Sequence, residues 1–170
     1  MSEKISTSIP NCYLRFAKEQ DIPLILEFIE SLAIYEKMAD EVVATESLLE
    51  EKLFGEQKYA EVVLAYYDEK PIGFALFFHN FSTFMGRPGI HLEDLFVKEK
   101  YRGKGIGTTL LRFLAKIAVE RDCARLEWAV LDWNTPSIEF YKSLDAKHLD
   151  DWMTFRLTGD SLSGLAEQFE

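Results

Sequence analysis

Between two apolar runs of this chain stands Tyr101-Arg102-Gly103-Lys104-Gly105-Ile106-Gly107, three glycines at alternate positions with basic residues among them. Ahead of it, residues 90–97 read as a strand. Behind it, Ile106, Leu110, Leu111, Leu114, Ile117 and Ala118 recur at helical spacing on one face of a helix ending near Arg121. A strand that passes into a helix through so bare a turn is a building unit of α/β architecture.

The other segments fit the same class. Strands are expected at 13–17, 61–67, 72–78 and 126–131, with a last one at 153–157, and a turn at 68–71. Asp21 can cap a helix reaching about Met38, with Pro23 in its first turn. The pattern TESLLEEKLF predicts a helix over 45–54 that stops near Gly55, and residues 136–144 a short helix. The segment 81–89 reads as a loop, and the terminal DSLSGLAEQFE as an amphipathic helix. With 170 residues, 48% of them hydrophobic, and no repeat or linker, the chain is expected to form one domain, 1–170, a sheet with helices on both faces.

Charge narrows the partners. The net charge is −10, which sets the chain against nucleic acid and anionic membrane surfaces and favours small cations. No segment reads as a secretory or membrane-spanning run, so a soluble, cytoplasmic protein is expected. Cys12 and Cys123 are too far apart in sequence to suggest a disulfide framework or a metal site. His79, His91 and His148 are scattered and read as structural or surface residues, so no metal is expected. Trp128 and Trp133 read as packing residues.

Against the acidic background, Lys98, Lys100, Arg102 and Lys104 crowd into seven residues that run into the glycines. Unobstructed N–H groups at a helix start, beside fixed cations, suit a phosphate. The spacing excludes two familiar devices. Counted from Gly103, a GxGxxG fingerprint needs its third glycine where Thr108 stands, and GxxxxGK[ST] does not occur.

From Arg102 the residues read RxxGxG, and HLEDLFV, YRGKGIGTTLL, EWAVLDWNTPSIEFYKSLDA and LAIYEKM together resemble the GCN5-related N-acetyltransferases (GNAT), in particular their diamine (spermidine/spermine) and thialysine type. The resemblance implies a mixed, mostly antiparallel sheet with two splayed parallel central strands, acetyl-CoA as cosubstrate, and a homodimer. It implies that backbone groups of Leu95, Phe96 and Val97 hold the pantetheine arm, and that Arg102, Gly103, Lys104, Gly105, Ile106, Gly107 and Thr108 hold the diphosphate. It implies further that Asn134, Pro136, Ser137 and Tyr141 complete the coenzyme site.

Acetylating an amine requires a neutral nitrogen, yet an alkylammonium of pKa ~10.4 is deprotonated in about one molecule per thousand at neutral pH, a cost of roughly 4 kcal/mol. The resemblance assigns the proton to Glu93 through water, and the cationic acceptor to Asp94, Tyr35 and Glu36. On a regular strand Glu93 and Asp94 point to opposite faces, so at most one would enter the cleft unless a bulge intervenes. Tyr141 is implied as the acid that protonates the departing thiolate. In the loop after Phe81, Ser82 and Thr83 stand where spermidine/spermine enzymes carry an acid and a tryptophan, and so look like the thialysine type. Asp145 replaces a usual glycine but tolerates a left-handed backbone. The implied reaction moves acetyl from acetyl-CoA to a primary amine of a small cationic acceptor by direct attack in a ternary complex. Acetylation of a protein or peptide amine, or a non-catalytic acyl-CoA-binding module, are the alternatives.

Overall fold

The computed structural model describes residues 3–169. Six strands make one sheet in chain order: β1 (Ile5–Ser6), β2 (Cys12–Phe16), β3 (Glu61–Tyr67), β4 (Lys70–Ser82), β5 (Arg87–Val97) and β6 (Leu126–Trp128). Neighbours are antiparallel except β5 and β6, which are parallel and close the order. The helices are α1 (Ile22–Tyr35), α2 (Glu46–Leu49), α3 (Ile106–Glu120), α4 (Thr135–Lys142) and α5 (Gly159–Ala166). The chain divides into two compact units, residues 1–129 with the whole sheet and residues 130–170 with α4 and α5. Among the described residues, no helix is long and apolar enough to cross a membrane.

Alternation along the strands gives each sheet face its own helix. Val62, Leu64 and Tyr66 of β3, Phe74 of β4 and Phe96 of β5 pack with Ile25, Phe28 and Leu32 of α1 and with Leu53. The intervening positions face α3, where Phe113 meets Phe16 edge-on at 5.9 Å and Arg121 lies 5.9 Å from the Phe77 ring. Ile106, Leu110, Leu111, Leu114, Ile117 and Ala118 are all buried, the stripe the sequence predicts.

Several boundaries move for local reasons. Asp21 does not cap α1 with its side chain; the carboxylate receives both Nη groups of Arg15, at 2.6 and 2.8 Å, and Lys18 N at 2.8 Å. α1 ends at Tyr35 rather than near Met38, because Lys37 turns left-handed (φ 63°). Thr45 caps α2 by accepting from Leu48 N, and the helix goes on as a π-turn through Glu50–Phe54. The β3–β4 turn is two residues, Asp68 and Glu69, both at positive φ, the geometry that matches strand twist. Lys70 and Pro71 belong to β4, Pro71 at a register shift where its missing N–H is tolerated. The expected loop 81–89 is mostly strand. β6 stops at Trp128 instead of 131, and residues 153–157, expected as a strand, form none. Their alternating pattern names a face, but a strand also needs a ladder partner.

Candidate active site

The glycine turn is built as its composition requires. After Val97 a 3₁₀ turn, Glu99–Tyr101, leads to Gly103 (φ 73°) and Gly105 (φ 81°), left-handed positions that side chains resist. Gly105 is the N-cap of α3, and no side chain caps the helix. The first intrahelical bond, Thr109 N to Gly105 O at 2.9 Å, leaves the amides of Ile106, Gly107 and Thr108 ahead of it. Arg102 donates from Nε to Val97 O at 2.8 Å, with its guanidinium 4.6 Å from the Tyr35 ring centroid and 5.7 Å from Phe96. Lys104 lies 5.2 Å from the Tyr67 centroid and 5.5 Å from Tyr101. Among the described residues, both cations rest on rings and neither pairs with a carboxylate.

One edge of β5 opens beside this turn. Pairing with β6 covers Ile90, His91 and Leu92 and then ceases. Ile90 N donates to Arg125 O at 2.9 Å, so the polar groups of Ile90 and Leu92 face β6. Lys98 N donates to Ile72 O at 2.8 Å, which turns the polar groups of residues 94, 96 and 98 toward β4 and those of Leu95 and Val97 toward the open side. That change of parity has one cause. Leu76 pairs with Asp94 but Phe77 with Leu92, so Glu93 is an extra residue, a β-bulge.

The bulge also decides where the acids go. His91 lies opposite Phe78, with ring centroids 5.0 Å apart, and Asp94 lies opposite Leu76, which packs on the α1 core. Leu76 and Phe78 share a face, so His91 and Asp94 do too, although an odd separation on a regular strand would part them. Glu93 Oε2 stands 3.6 Å from His91 Nε2. Burial pushes the Asp94 carboxyl up to about 6, helped by the charges of Glu93 and of Glu36, just past the end of α1. Burial raises Glu36 as well. Three carboxylates therefore converge, and their mutual repulsion is a stored attraction for a cation.

The acetyltransferase (GNAT) family model matches residues 27–145. This chain is a GNAT acetyltransferase. It is 37% identical over 164 residues to thialysine N-epsilon-acetyltransferase of Bos taurus, covering 90% of this chain and 96% of that one. It is 30% identical to an L-ornithine N5-acetyltransferase of Arabidopsis thaliana, covering 89% and 86%. Among solved structures, an integron cassette protein from the mobile metagenome of V. cholerae superposes with a TM-score of 0.78 at 30% identity, covering 92% and 98%.

As a GNAT enzyme the chain is an acyltransferase that takes its acetyl group from acetyl-CoA. The residues present suit that donor. A Cβ at Gly103 would meet nothing within 4 Å, so the turn is open on that side, and the uncapped amides and the free edge of β5 offer donors to a diphosphate and an amide-bearing arm.

Ser82 and Thr83 lie apart from the acids. Ser82 is buried at the end of β4, where its Oγ accepts from Met85 N at 3.3 Å; Thr83 is exposed in the adjacent turn. Six residues along the strand from Leu76, Ser82 stands roughly 20 Å from the level of the acids. Within the second unit, Asn134 Oδ1 caps α4 by accepting from Ser137 N, Pro136 sits in its first turn, and Tyr141 lies in its last, 5.3 Å from Phe140. Asp145 is left-handed (φ 59°). His91, read from the sequence as a structural or surface residue, packs on Phe78 beside Glu93.

Proposed function

We propose that this acetyltransferase acts on a primary amine of a small dicationic or ω-amino acid acceptor, a diamine, polyamine or thialysine-like compound, by direct attack on the thioester in a ternary complex. The observation that carries the reading is the bulge at Glu93, which sets Glu93 and Asp94 on one face together with Glu36. Asp94, Glu36 and Tyr35 hold the ammonium. Glu93, the more exposed acid, takes its proton through water. Leu95, Phe96 and Val97 present the β5 edge to the pantetheine arm. Arg102, Gly103, Lys104, Gly105, Ile106, Gly107 and Thr108 grip the diphosphate. Asn134, Pro136 and Ser137 contact the coenzyme, and Tyr141 returns a proton to the departing thiolate. Ser82 and Thr83 are proposed acceptor contacts on the resemblance alone.

The names of the bovine and Arabidopsis relatives support an amino-acid acceptor with a distal amine. We place the enzyme in the cytoplasm, where two free thiols persist, working as a homodimer of single-domain subunits. Thiol release from acetyl-CoA with thialysine, ornithine, lysine, 1,4-diaminobutane and spermidine tests the reading. Turnover is expected with at least one. Turnover with basic peptides alone would move the acceptor to the protein class, and coenzyme binding without turnover on any amine would make the chain a binding module.

A further inference from the structure

On the face of the sheet that carries Glu93 and Asp94 lies a second polar group. Gly89 of β5 stands opposite Asn80 of β4, and a Cβ there would sit 2.4 Å from Asn80 Oδ1 and 2.8 Å from Arg125 Cγ. The missing side chain lets Asn80 reach across β5 and donate from Nδ2 to Glu127 Oε1 on β6, while Arg125 Nε lies 3.3 Å from the same oxygen. Among the described residues Asn80 Oδ1 is buried without a partner, so the bridge is held at a cost that plain packing would avoid. Both contacts use Glu127 Oε1, the first from Asn80 Nδ2 and the second from Arg125 Nε. The second carboxylate oxygen and the two Nη groups take no part in the bridge.

The position matters more than the bridge. Glu127 is paired in register with His91, two residues before Glu93. Two residues along a strand and one strand across put Glu127 roughly 8 Å from Glu93. The two nitrogens of an extended ω-amino acid lie roughly 6 Å apart across four carbons and about 7.5 Å across a five-atom spacer, from ordinary bond lengths. His91, packed on Phe78, lies between the two groups on the same face. The Arg125 and Glu127 side chains are 40% and 31% exposed. Such a pair opens at little cost.

We propose that Arg125 and Glu127, meeting over Gly89, form a head-group subsite for the α-carboxylate and α-ammonium of an ω-amino acid whose distal amine lies at Glu93 and Asp94. This rests on the acceptor reading above and adds a basis for choosing an amino acid over the diamine of equal length. Arg125 receives the carboxylate, a group the diamine lacks. Glu127, oriented by Asn80, receives the ammonium that both share.

Steady-state kinetics on the full chain at saturating acetyl-CoA test the subsite with ornithine against 1,4-diaminobutane. For Arg125→Gln, the ratio of kcat/KM for ornithine over the diamine is expected to fall about tenfold to a hundredfold, the range for a charged hydrogen bond, with the loss in KM. Glu127→Gln is expected to raise KM for both. Ornithine amide, with its carboxylate blocked, gives a readout on the unmodified chain and is expected to lose the preference that Arg125→Gln loses. A ratio unchanged by Arg125→Gln, or an amide as good as ornithine, overturns the subsite while leaving the acceptor site standing. A wild-type chain that acetylates no amine overturns both.

Discussion

The two ends of the β5 edge hold charge in opposite ways. At the glycine turn the work falls on backbone: positive-φ glycines, an uncapped helix, and cations whose guanidinium and ammonium groups rest on Tyr35, Phe96, Tyr67 and Tyr101. At the bulge the work falls on side chains, with carboxylates brought together against their own repulsion. The proposed anion site is rigid and limited by conformation. The proposed cation site is strained and limited by protonation. Different substitutions should therefore injure each, and in different observables.

The largest effect is expected at the turn. Gly105→Val forces a β-branched residue to φ 81° and should reduce coenzyme affinity a hundredfold or more, measured by calorimetry, with Gly105→Asn milder because asparagine tolerates that region. If valine binds the coenzyme as well as glycine does, the backbone account of the turn is wrong. Next comes Glu93→Gln, expected to lower kcat by about 10²–10⁴ at neutral pH while coenzyme affinity holds, the contribution typical of a positioned base. A loss that appears in coenzyme binding instead would shift Glu93 out of the proton path.

Asp94 sharpens the contrast through pH. Its carboxyl is raised from 3.8 to about 6 in the folded chain, so between those values the native state binds more protons than the unfolded one, and this group's effect on stability worsens as pH rises. Asp94→Asn should therefore raise the melting temperature at pH 8 and change it little at pH 4, while acceptor KM increases at pH 8. Equal shifts at both pH values would mean the acid is not under strain. The smallest effect is expected for Arg102→Gln, which removes the bond to Val97 O and the contact with Tyr35: a several-fold rise in acetyl-CoA KM, with little change in acceptor KM.

Much of this was legible from the chain alone, wherever the physics is local. The glycines at 103 and 105, the apolar stripe of α3 and the capping threonine at 45 each carry their reason within a few residues. The strand predicted at 61–67 was found at Glu61–Tyr67, because its apolar run ends at a turn of acceptable chemistry. What the sequence could not settle depended on partners distant along the chain. Asp21 looks like a cap until Arg15 comes across from β2. Residues 153–157 alternate as a strand should and form no ladder.

The acid site shows the division most sharply. Sequence determined that Glu93 and Asp94 are adjacent, and adjacency alone sends side chains to opposite faces. Tertiary structure decided otherwise, because β4 pairs Leu76 with Asp94 and Phe77 with Leu92, leaving one residue over. That surplus residue turns both acids to one face and gives Leu95 and Val97 the open edge. A bulge is a property of two strands in register, and no single strand can announce it.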